Sequence, residues 1–343
     1  MTNLLELGWD VGLVGILMSG KRGSKSSHKI GKAEQDNARA LVYGSFTCKF
    51  QWIRLKTLGY FGNYKLEHSE KLTMPELSEV AFACKIWNPG LGRKIIEAIS
   101  HKKSLVYREL ERSVLPKELK DATLTHSATH GKQMLFGFSG GRWMGLHLGM
   151  SGRLSVETAD YEPAKHDALL LRQPGHTLVF QDPRQFGKLT FDKCDSEPEW
   201  WLALPPLMTS KEFTLELFSS ALERHKRQPI KALLLDQRYF PGMGNWMADE
   251  VLWRARIHPA QRAGQISKAR RKQLHQQAVF VAQGALDSVG RYGGDPPEGW
   301  LFHVRWNDGQ YCPKTGEPLV REKIGGRTTC WSPGLQKMDG KPG

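Results

Sequence analysis

Residues 230–255 read IKALLLDQRYFPGMGNWMADEVLWRA. The apolar spacing predicts two helices, Ile230–Asp236 and Asn245–Ala255, separated by a Pro/Gly turn at Tyr239–Gly244. Exposed amide groups at the start of the second helix favour an anion such as a phosphate. The alternative is an ordinary helical hairpin capped by Asn245, and this stretch alone favours that alternative.

The sequence on either side of this hairpin predicts a β-rich part and a helical part of the chain. Two more helices are expected at Lys211–Arg224 and Lys268–Val289, and a short one at Glu79–Trp87. Between residues 94 and 191, short apolar runs separated by turn residues predict an all-β sandwich or barrel. The runs are Lys94–Ser100, Ser104–Tyr107, Gln133–Phe138, Trp143–Leu148, Leu154–Val156, Ala168–Arg172, Thr177–Gln181 and Lys188–Phe191. A β-hairpin is expected within residues 300–336.

Composition narrows the class of protein. The chain has 343 residues, of which 40% are hydrophobic and 10% aromatic, so it is long enough for two domains and too apolar to be wholly disordered. Its formal net charge of +14 points to a polyanionic partner such as nucleic acid or an acidic membrane surface.

The number of cysteines and the hydropathy of the chain indicate in which cellular compartment the protein is found. Five widely spaced cysteines do not make a secreted disulfide framework. No apolar run reaches the roughly 18–20 residues that span a bilayer, and no clear signal peptide opens the chain. We expect a cytoplasmic, nucleoid-associated protein that does not bind membranes.

Six short motifs occur in order along the chain. Residues 74–80 read MPELSEV, and the later motifs are GK at 131–132, HLGMSG at 147–152, DPRQFG at 182–187, PGMGN at 241–245 and GRTT at 326–329. In this order they resemble the formamidopyrimidine-DNA glycosylase/endonuclease VIII family, whose usual opening is MPELPEV. One motif would be weak, but the ordered series is specific.

The resemblance implies an α+β multidomain fold that binds double-stranded DNA containing oxidised bases or abasic sites. Its parts are a β-sandwich, a helix–two-turn–helix domain and a C-terminal β-hairpin of the zincless-finger kind. The expected divisions are an extension at 1–73 that is absent from or removed in the active form, the catalytic β-sandwich at 74–192, a linker at 193–208, the helical domain at 209–295, and the hairpin and tail at 296–343.

The resemblance also implies a base-excision repair glycosylase with AP lyase activity. Pro75, as the new N-terminus, would attack the sugar; a secondary α-amine titrates near ~7.7–8.0 and is partly neutral at physiological pH. Glu76 beside it is the candidate general acid, with Glu79 helping to orient the site. Lys132 and Arg327 are implied in β- and δ-elimination, and Lys132 also in a phosphate contact. On its own, Pro75 is better explained as the first proline of a helix, and the two acids also suit the N-terminus of a helix, whether or not they are catalytic.

Further residues are implied in holding the duplex. Met150, Arg184 and Phe186 match the residues that fill the gap left by a flipped-out nucleotide. Core packing is the alternative for Met150 and Phe186, although the glycines around them favour exposed loops. The resemblance implies that the DNA phosphates are contacted by His166, Lys226, Asn245 and Arg327. Taken singly, each of these four is equally well a surface polar group.

The sequence departs from the family at the zinc finger. Of the four ligand positions, Cys312 alone keeps its thiol, since Thr315, Ser332 and Leu335 occupy the others and Cys330 falls out of register. One thiolate cannot make a tetrahedral zinc site. We therefore expect no metal and no cofactor.

Other departures affect the lesion and the nucleophile. Ser78 replaces a proline, and the segment RYGGDPPEGWLF at 291–302 is short where the family covers an oxidised purine. Oxidised purines such as 8-oxoguanine or formamidopyrimidine remain the favoured substrates. Residues 1–73, if retained, turn the Pro75 amine into an amide. The alternative function is therefore a non-enzymatic damaged-DNA-binding protein of the same fold. We expect a monomer in either case.

Overall fold

The computed structural model describes residues 74–338, which lie within one unit of the chain, Glu70–Gly343. The expectations for residues 1–73 fall outside the described residues. In chain order the helices are α1 (Leu77–Ile86), α2 (Val114–Leu119), α3 (Glu199–Leu202), α4 (Leu215–Arg224), α5 (Ile230–Leu234), α6 (Asn245–Ala255), α7 (Lys268–Asp287) and α8 (Val289–Tyr292). Within residues 74–338, every helix falls short of the length and apolarity needed to cross a membrane.

The strands form two four-stranded sheets and a separate hairpin. They are β1 (Glu97–Ser100), β2 (Leu124–His130), β3 (Gln133–Phe138), β4 (Arg142–His147), β5 (Arg153–Thr158), β6 (Asp167–Gln173), β7 (His176–Gln181), β8 (Lys188–Lys193), β9 (Val320–Ile324) and β10 (Arg327–Trp331). One sheet has the order β1-β6-β7-β5 and the other β2-β3-β4-β8, with antiparallel neighbours throughout.

The two sheets share one hydrophobic core, which makes this part a β-sandwich. Phe136 from one sheet and Phe180 from the other are fully buried in the same cluster. Trp87, which follows α1, is also fully buried there, with its ring 4.9 Å from that of Phe136. The expected α+β architecture with an N-terminal β-sandwich is confirmed.

One strand prediction was wrong, and one strand was missed. Residues Leu105–Tyr107 form a 3₁₀ turn rather than a strand, because the Ser104 hydroxyl accepts from the amide of Val106 and caps the turn. Strand β2 was missed because its sequence, LTHSATH, has few apolar residues. It lies at the edge of its sheet, where half-buried polar side chains are tolerated.

The helical part packs around a second core. Leu77 from α1 joins this core, and its amide donates to the Gly242 carbonyl over 3.0 Å, so α1 contacts both cores. The expected start of α4 was four residues early, because Thr214 caps the helix by accepting from the amide of Leu217. The Lys268–Val289 prediction ends two residues late, since Ser288 separates α7 from α8.

Strands β9 and β10 form the expected hairpin, joined by Gly325 and Gly326. Both glycines have positive φ (60° and 77°), as a two-residue hairpin turn requires. A Cβ at Gly325 would also meet Ala232 of α5. The turn therefore lies against the helical part and carries Arg327 at the first position of β10.

Candidate active site and DNA interface

Glu76 connects the starts of two helices. It is the N-cap of α1, and its carboxyl oxygens accept from the amides of Trp246 (2.9 Å) and Met247 (3.1 Å) in the first turn of α6. Those amides have no partner within their own helix, and the N-terminal dipole favours a carboxylate there. Pro75 immediately precedes this anchor and is half-buried.

Glycines permit this close approach. A Cβ at Gly244 would collide with the Glu76 carboxyl group, and one at Gly242 would collide with Leu77. Gly131 has φ +63°, and a Cβ there would meet Gly242. The turn before α6 therefore contacts both α1 and the β2–β3 loop, which brings Lys132 to the same place.

Glu79 lies one helical turn after Glu76 and accepts three hydrogen bonds. Its Oε2 accepts from the amide of Glu76 (3.2 Å) and the hydroxyl of Ser78 (3.0 Å). Its Oε1 accepts from the indole Nε1 of Trp246 at 3.0 Å. Ser78 thus has a role at the site, although the sequence marked it only as a substitution.

The surroundings of Glu76 shift its titration into the neutral range. Burial and the neighbouring charge of Glu79 raise the pKa of Glu76 to about 7, against the opposing effect of Lys132 and the two α6 amides. Burial likewise raises the pKa of Glu79. Glu76 therefore holds a proton at neutral pH and can give it up there, as a general acid must.

Lys132 and Arg327 lie within electrostatic reach of each other. Burial lowers the pKa of Lys132; Glu76 opposes this shift and Arg327 adds to it. The Lys132 amine is thus more easily neutralised than an exposed lysine. Arg327 is exposed at the tip of the hairpin.

Asn245 links α6 to the hairpin. Its Nδ2 donates to the carbonyl of Thr328 over 2.8 Å, next to Arg327. A side-chain amide carries two N–H groups, so one remains for an anion. The structure thus brings together Pro75, Glu76, Lys132, Asn245 and Arg327, which the sequence had proposed from separate motifs.

A second group lies on two adjoining loops. Phe186 is 52% exposed, and the guanidinium of Arg184 lies 5.2 Å from the centre of its ring. A Cβ at Gly149 would touch the main chain of Phe186, so the half-buried Met150 lies on the neighbouring turn. The exposure of Phe186 excludes core packing as its role.

Hydrogen bonds hold these two loops together. The Asp182 carboxylate accepts from the hydroxyl of Ser151 (2.7 Å) and the amide of Gly187 (2.6 Å). Arg108 donates to the carbonyl of Gly187 over 2.8 Å, and Gln185 accepts from the amide of Leu105. Sequence reasoning missed these supports. Arg108 and Leu105 carried no signal, whereas Asp182 and Ser151 were in recognised motifs and received no role.

The remaining predicted contacts lie apart from the carboxyl pair. The carbonyl of His166 accepts from the amide of Asp182, so His166 lies beside the second group with its side chain exposed. Lys226 is exposed on the helical part, where its carbonyl accepts from the amide of Gly264.

Comparison with known proteins agrees with this arrangement. Residues 74–189 match the formamidopyrimidine-DNA glycosylase N-terminal domain, and residues 202–292 match the formamidopyrimidine-DNA glycosylase H2TH domain. A formamidopyrimidine-DNA glycosylase of Roseiflexus sp. (strain RS-1) is 34% identical over 279 residues, which cover 77% of this chain and 100% of the relative.

The chain belongs to the formamidopyrimidine-DNA glycosylase family. A Lactococcus lactis formamidopyrimidine-DNA glycosylase bound to DNA containing an AP site is similar in structure, with a TM-score of 0.68 and 27% identity over 76% of this chain and 99% of its own. MutM in complex with DNA containing carbocyclic 8-oxo-G has a TM-score of 0.68 and 28% identity, covering 77% of this chain and 100% of its own.

The zinc finger that membership implies does not fit the residues present. Thr315 and Ser332 lie close enough to hydrogen-bond with the sulfur of Cys312, and Leu335 packs in the same cluster. Cys330 is buried in the same cluster, and its amide donates to Asp249. Residues 74–338 contain no cluster of three or more His, Cys, Asp or Glu able to hold a metal ion.

Other donors surround the one remaining thiol. The indole of Trp253 donates to Sγ of Cys312 at 3.3 Å. Burial opposes ionisation of this thiol, but the hydrogen bonds from Thr315, Ser332 and Trp253 outweigh it and lower the pKa of Cys312 to about 7. Polar contacts and packing therefore hold this end of the hairpin.

An ionic cluster that the sequence did not reveal also anchors β10 to the helical part. Asp249 of α6 is fully buried between Lys231 of α5 and Arg305, with nitrogen–oxygen distances of 2.5 Å to each. The same carboxylate accepts from the amide of Cys330 at 3.0 Å. These contacts connect the helical part to β10, the strand that carries Arg327.

Proposed function

We propose that this chain is a base-excision repair DNA glycosylase with AP lyase activity that removes oxidised bases, purines favoured, from double-stranded DNA. The observation that carries the proposal is Glu76: a carboxyl group beside Pro75, held by the first turn of α6, with a pKa of about 7. Related proteins bound to AP-site and 8-oxo-G DNA support the substrate class.

Pro75 supplies the nucleophile in this proposal. Its neutral amine attacks the sugar C1′, the bond from C1′ to the base breaks, and the base leaves with the electron pair of that bond and takes up the proton that the Pro75 nitrogen releases. Glu76 gives its proton to the ring oxygen as the sugar opens, which leaves a Schiff base between Pro75 and C1′. The proximity of Glu76 to Pro75 in sequence and its fixed carboxyl group support this division of labour.

Lys132 and Arg327 serve the strand scission that follows. Burial makes the Lys132 amine easier to neutralise, which suits proton removal in β-elimination and contact with a phosphate. Arg327, exposed beside Asn245, suits a second phosphate and δ-elimination. Their common position beside Glu76 supports both assignments.

The two adjoining loops are assigned to the gap left by the flipped-out nucleotide. The exposed ring of Phe186 and the flexible side chain of Met150 suit insertion between base steps, and Arg184 suits contact with the orphaned base. His166, Lys226 and Asn245 are assigned to phosphates, which position the duplex without reading its sequence. This division also assigns catalysis to 74–192, a linker to 193–208, duplex binding to 209–295 and the hairpin to 296–343.

The proposed chemistry needs a free Pro75 amine, so the active form begins at Pro75, without residues 1–73 and without Met74. With Met74 attached, the amine is an amide and the chain binds damaged DNA without reacting. We propose a monomer that acts in the cytoplasm, at the nucleoid.

Borohydride trapping on a duplex containing 8-oxoguanine tests the function. A chain beginning at Pro75 should form a covalent adduct, and the full chain with an intact Met1 should not. N-terminal sequencing verifies each start. Efficient trapping by the verified full chain would overturn the nucleophile assignment, and no trapping by the Pro75 form would overturn the enzymatic function.

A further inference from the structure

We propose that Trp246 is a positioning residue for base excision: its main-chain amide holds Glu76 and its indole N–H holds Glu79, so one residue couples both carboxyl groups. The inference rests on the function proposed above and deepens it. None of the six motifs includes Trp246, because a tryptophan in a helix resembles an ordinary core residue. In the structure it is 1% exposed.

The position of the indole is fixed from several sides. Its ring lies 5.1 Å from that of Phe302 in an edge-on arrangement and 6.4 Å from that of Trp300. An indole has one donor and no acceptor, and this donor is directed at Oε1 of Glu79 over 3.0 Å. Trp246 therefore combines a packing surface with a single, aimed N–H group.

The direction of the coupling follows from charge. A hydrogen bond to the charged form of a carboxyl group favours ionisation, so the Trp246 indole lowers the pKa of Glu79 against the stronger effect of burial. The charge on Glu79 in turn disfavours ionisation of Glu76 and raises its pKa. Trp246 thereby helps Glu76 keep its proton at neutral pH through Glu79.

Other charged groups also face this pair, and the test must hold them constant. They are Lys132 of the β2–β3 loop, Lys231 of α5 and, in the chain that begins at Pro75, the Pro75 amine; Arg327 of the hairpin acts on Lys132. None of them contacts the indole N–H within the hydrogen bonds that the structure describes. Replacing Trp246 with phenylalanine removes that donor while keeping the main-chain amide on Glu76 and the other charges.

The test is the pH profile of single-turnover base release from a duplex containing 8-oxoguanine, with the chain that begins at Pro75. In Trp246→Phe, Glu79 loses a donor and is less ionised, so Glu76 should lose its proton at lower pH. The alkaline limb, where base release falls as Glu76 loses its proton, should move to lower pH, and by no more than Glu79→Gln moves it. Glu79→Gln, which retains the packing, should move the limb in the same direction.

A matched control and a double variant sharpen the result. Trp253→Phe removes another buried indole from α6, one that donates to Cys312, and should leave the limb in place. Trp246→Phe combined with Glu79→Gln should shift the limb no further than Glu79→Gln alone.

The outcomes separate the coupling from the function itself. If Glu79→Gln leaves the limb in place, or if the two shifts add, Trp246 does not act through Glu79 and the inference is wrong. If Glu76→Gln retains wild-type base release, the proposed function fails instead. Should Trp246→Phe not fold, the Glu79→Gln profile alone decides, since an unmoved limb excludes the coupling.

Discussion

The main-chain amide of Trp246 donates to Oε1 of Glu76 over 2.9 Å, although the two residues are 170 positions apart in the sequence. This contact joins the first helix of the β-rich part to the helix that follows the Pro/Gly turn. The carboxyl group is thereby held in place, and a fixed acid beside the proposed nucleophile, Pro75, lowers the entropic cost of reaching the transition state.

The role of Glu76 as an acid predicts a selective loss in Glu76→Gln. A glutamine cannot deliver the proton, so base release should fall by roughly 10²–10⁴-fold, while binding to the same duplex stays near wild type. In the wild type, base release needs both the Glu76 proton and the neutral Pro75 amine, so it should pass through a maximum near neutral pH and decline on the alkaline side, where Glu76 is ionised. Wild-type release by Glu76→Gln would exclude the acid role.

Replacing the nucleophile should separate binding from chemistry. Pro75→Gly changes the secondary amine to a primary one, and Schiff-base formation should slow markedly. DNA affinity should persist, because phosphate contacts from distant residues supply most of it. Borohydride trapping and equilibrium binding on one lesion duplex measure the two effects. Equal losses in both measurements would indicate a structural role for Pro75.

The metal content tests the register at the hairpin. Elemental analysis should find well below one zinc per chain, and chelators should leave activity unchanged, because Cys312 lacks thiol partners at Thr315, Ser332 and Leu335. A triple variant with cysteine at those three positions should acquire stoichiometric zinc, since the structure places all four side chains together. Zinc in the wild type would show that the register is wrong.

The buried charge on Asp249 predicts a large effect on stability. Asp249→Asn leaves Lys231 and Arg305 without a counter-charge and should lower the free energy of unfolding by about 3–5 kcal/mol. The control is Asp121→Asn, which breaks an exposed ion pair with Lys94 and should change stability little. Urea unfolding of both variants makes the comparison. Equal effects would mean that burial is not what gives the Asp249 cluster its importance.

Sequence reasoning predicted the architecture well because its signals are local. The Asn245–Ala255 helix, the glycine turn and the hairpin follow from spacing and turn residues, and the ordered motifs placed Glu76 and Lys132 in one site. Long-range hydrogen bonds had no such signal. In the sequence, Trp246 resembles an ordinary core tryptophan of a helix, and Asp249 resembles an ordinary surface aspartate. Strand β2 was missed for the related reason that an edge strand can be polar.

The final prediction separates phosphate contacts from insertion into the duplex. Lys226→Ala removes an exposed cation, so it should weaken binding to lesion and undamaged duplexes alike and lower the salt slope by about one unit. Phe186→Ala removes a half-exposed ring that has no role when no base is flipped. The variant should bind undamaged duplex as the wild type does. Its binding to the lesion duplex should be weaker by up to roughly a few kcal/mol, the free energy that unstacking a base costs. Salt titrations of both variants on both duplexes make the measurement, with Arg227→Ala as the control for the neighbouring cation. A changed salt slope in Phe186→Ala, or a lesion-specific effect in Lys226→Ala, would reverse the two assignments.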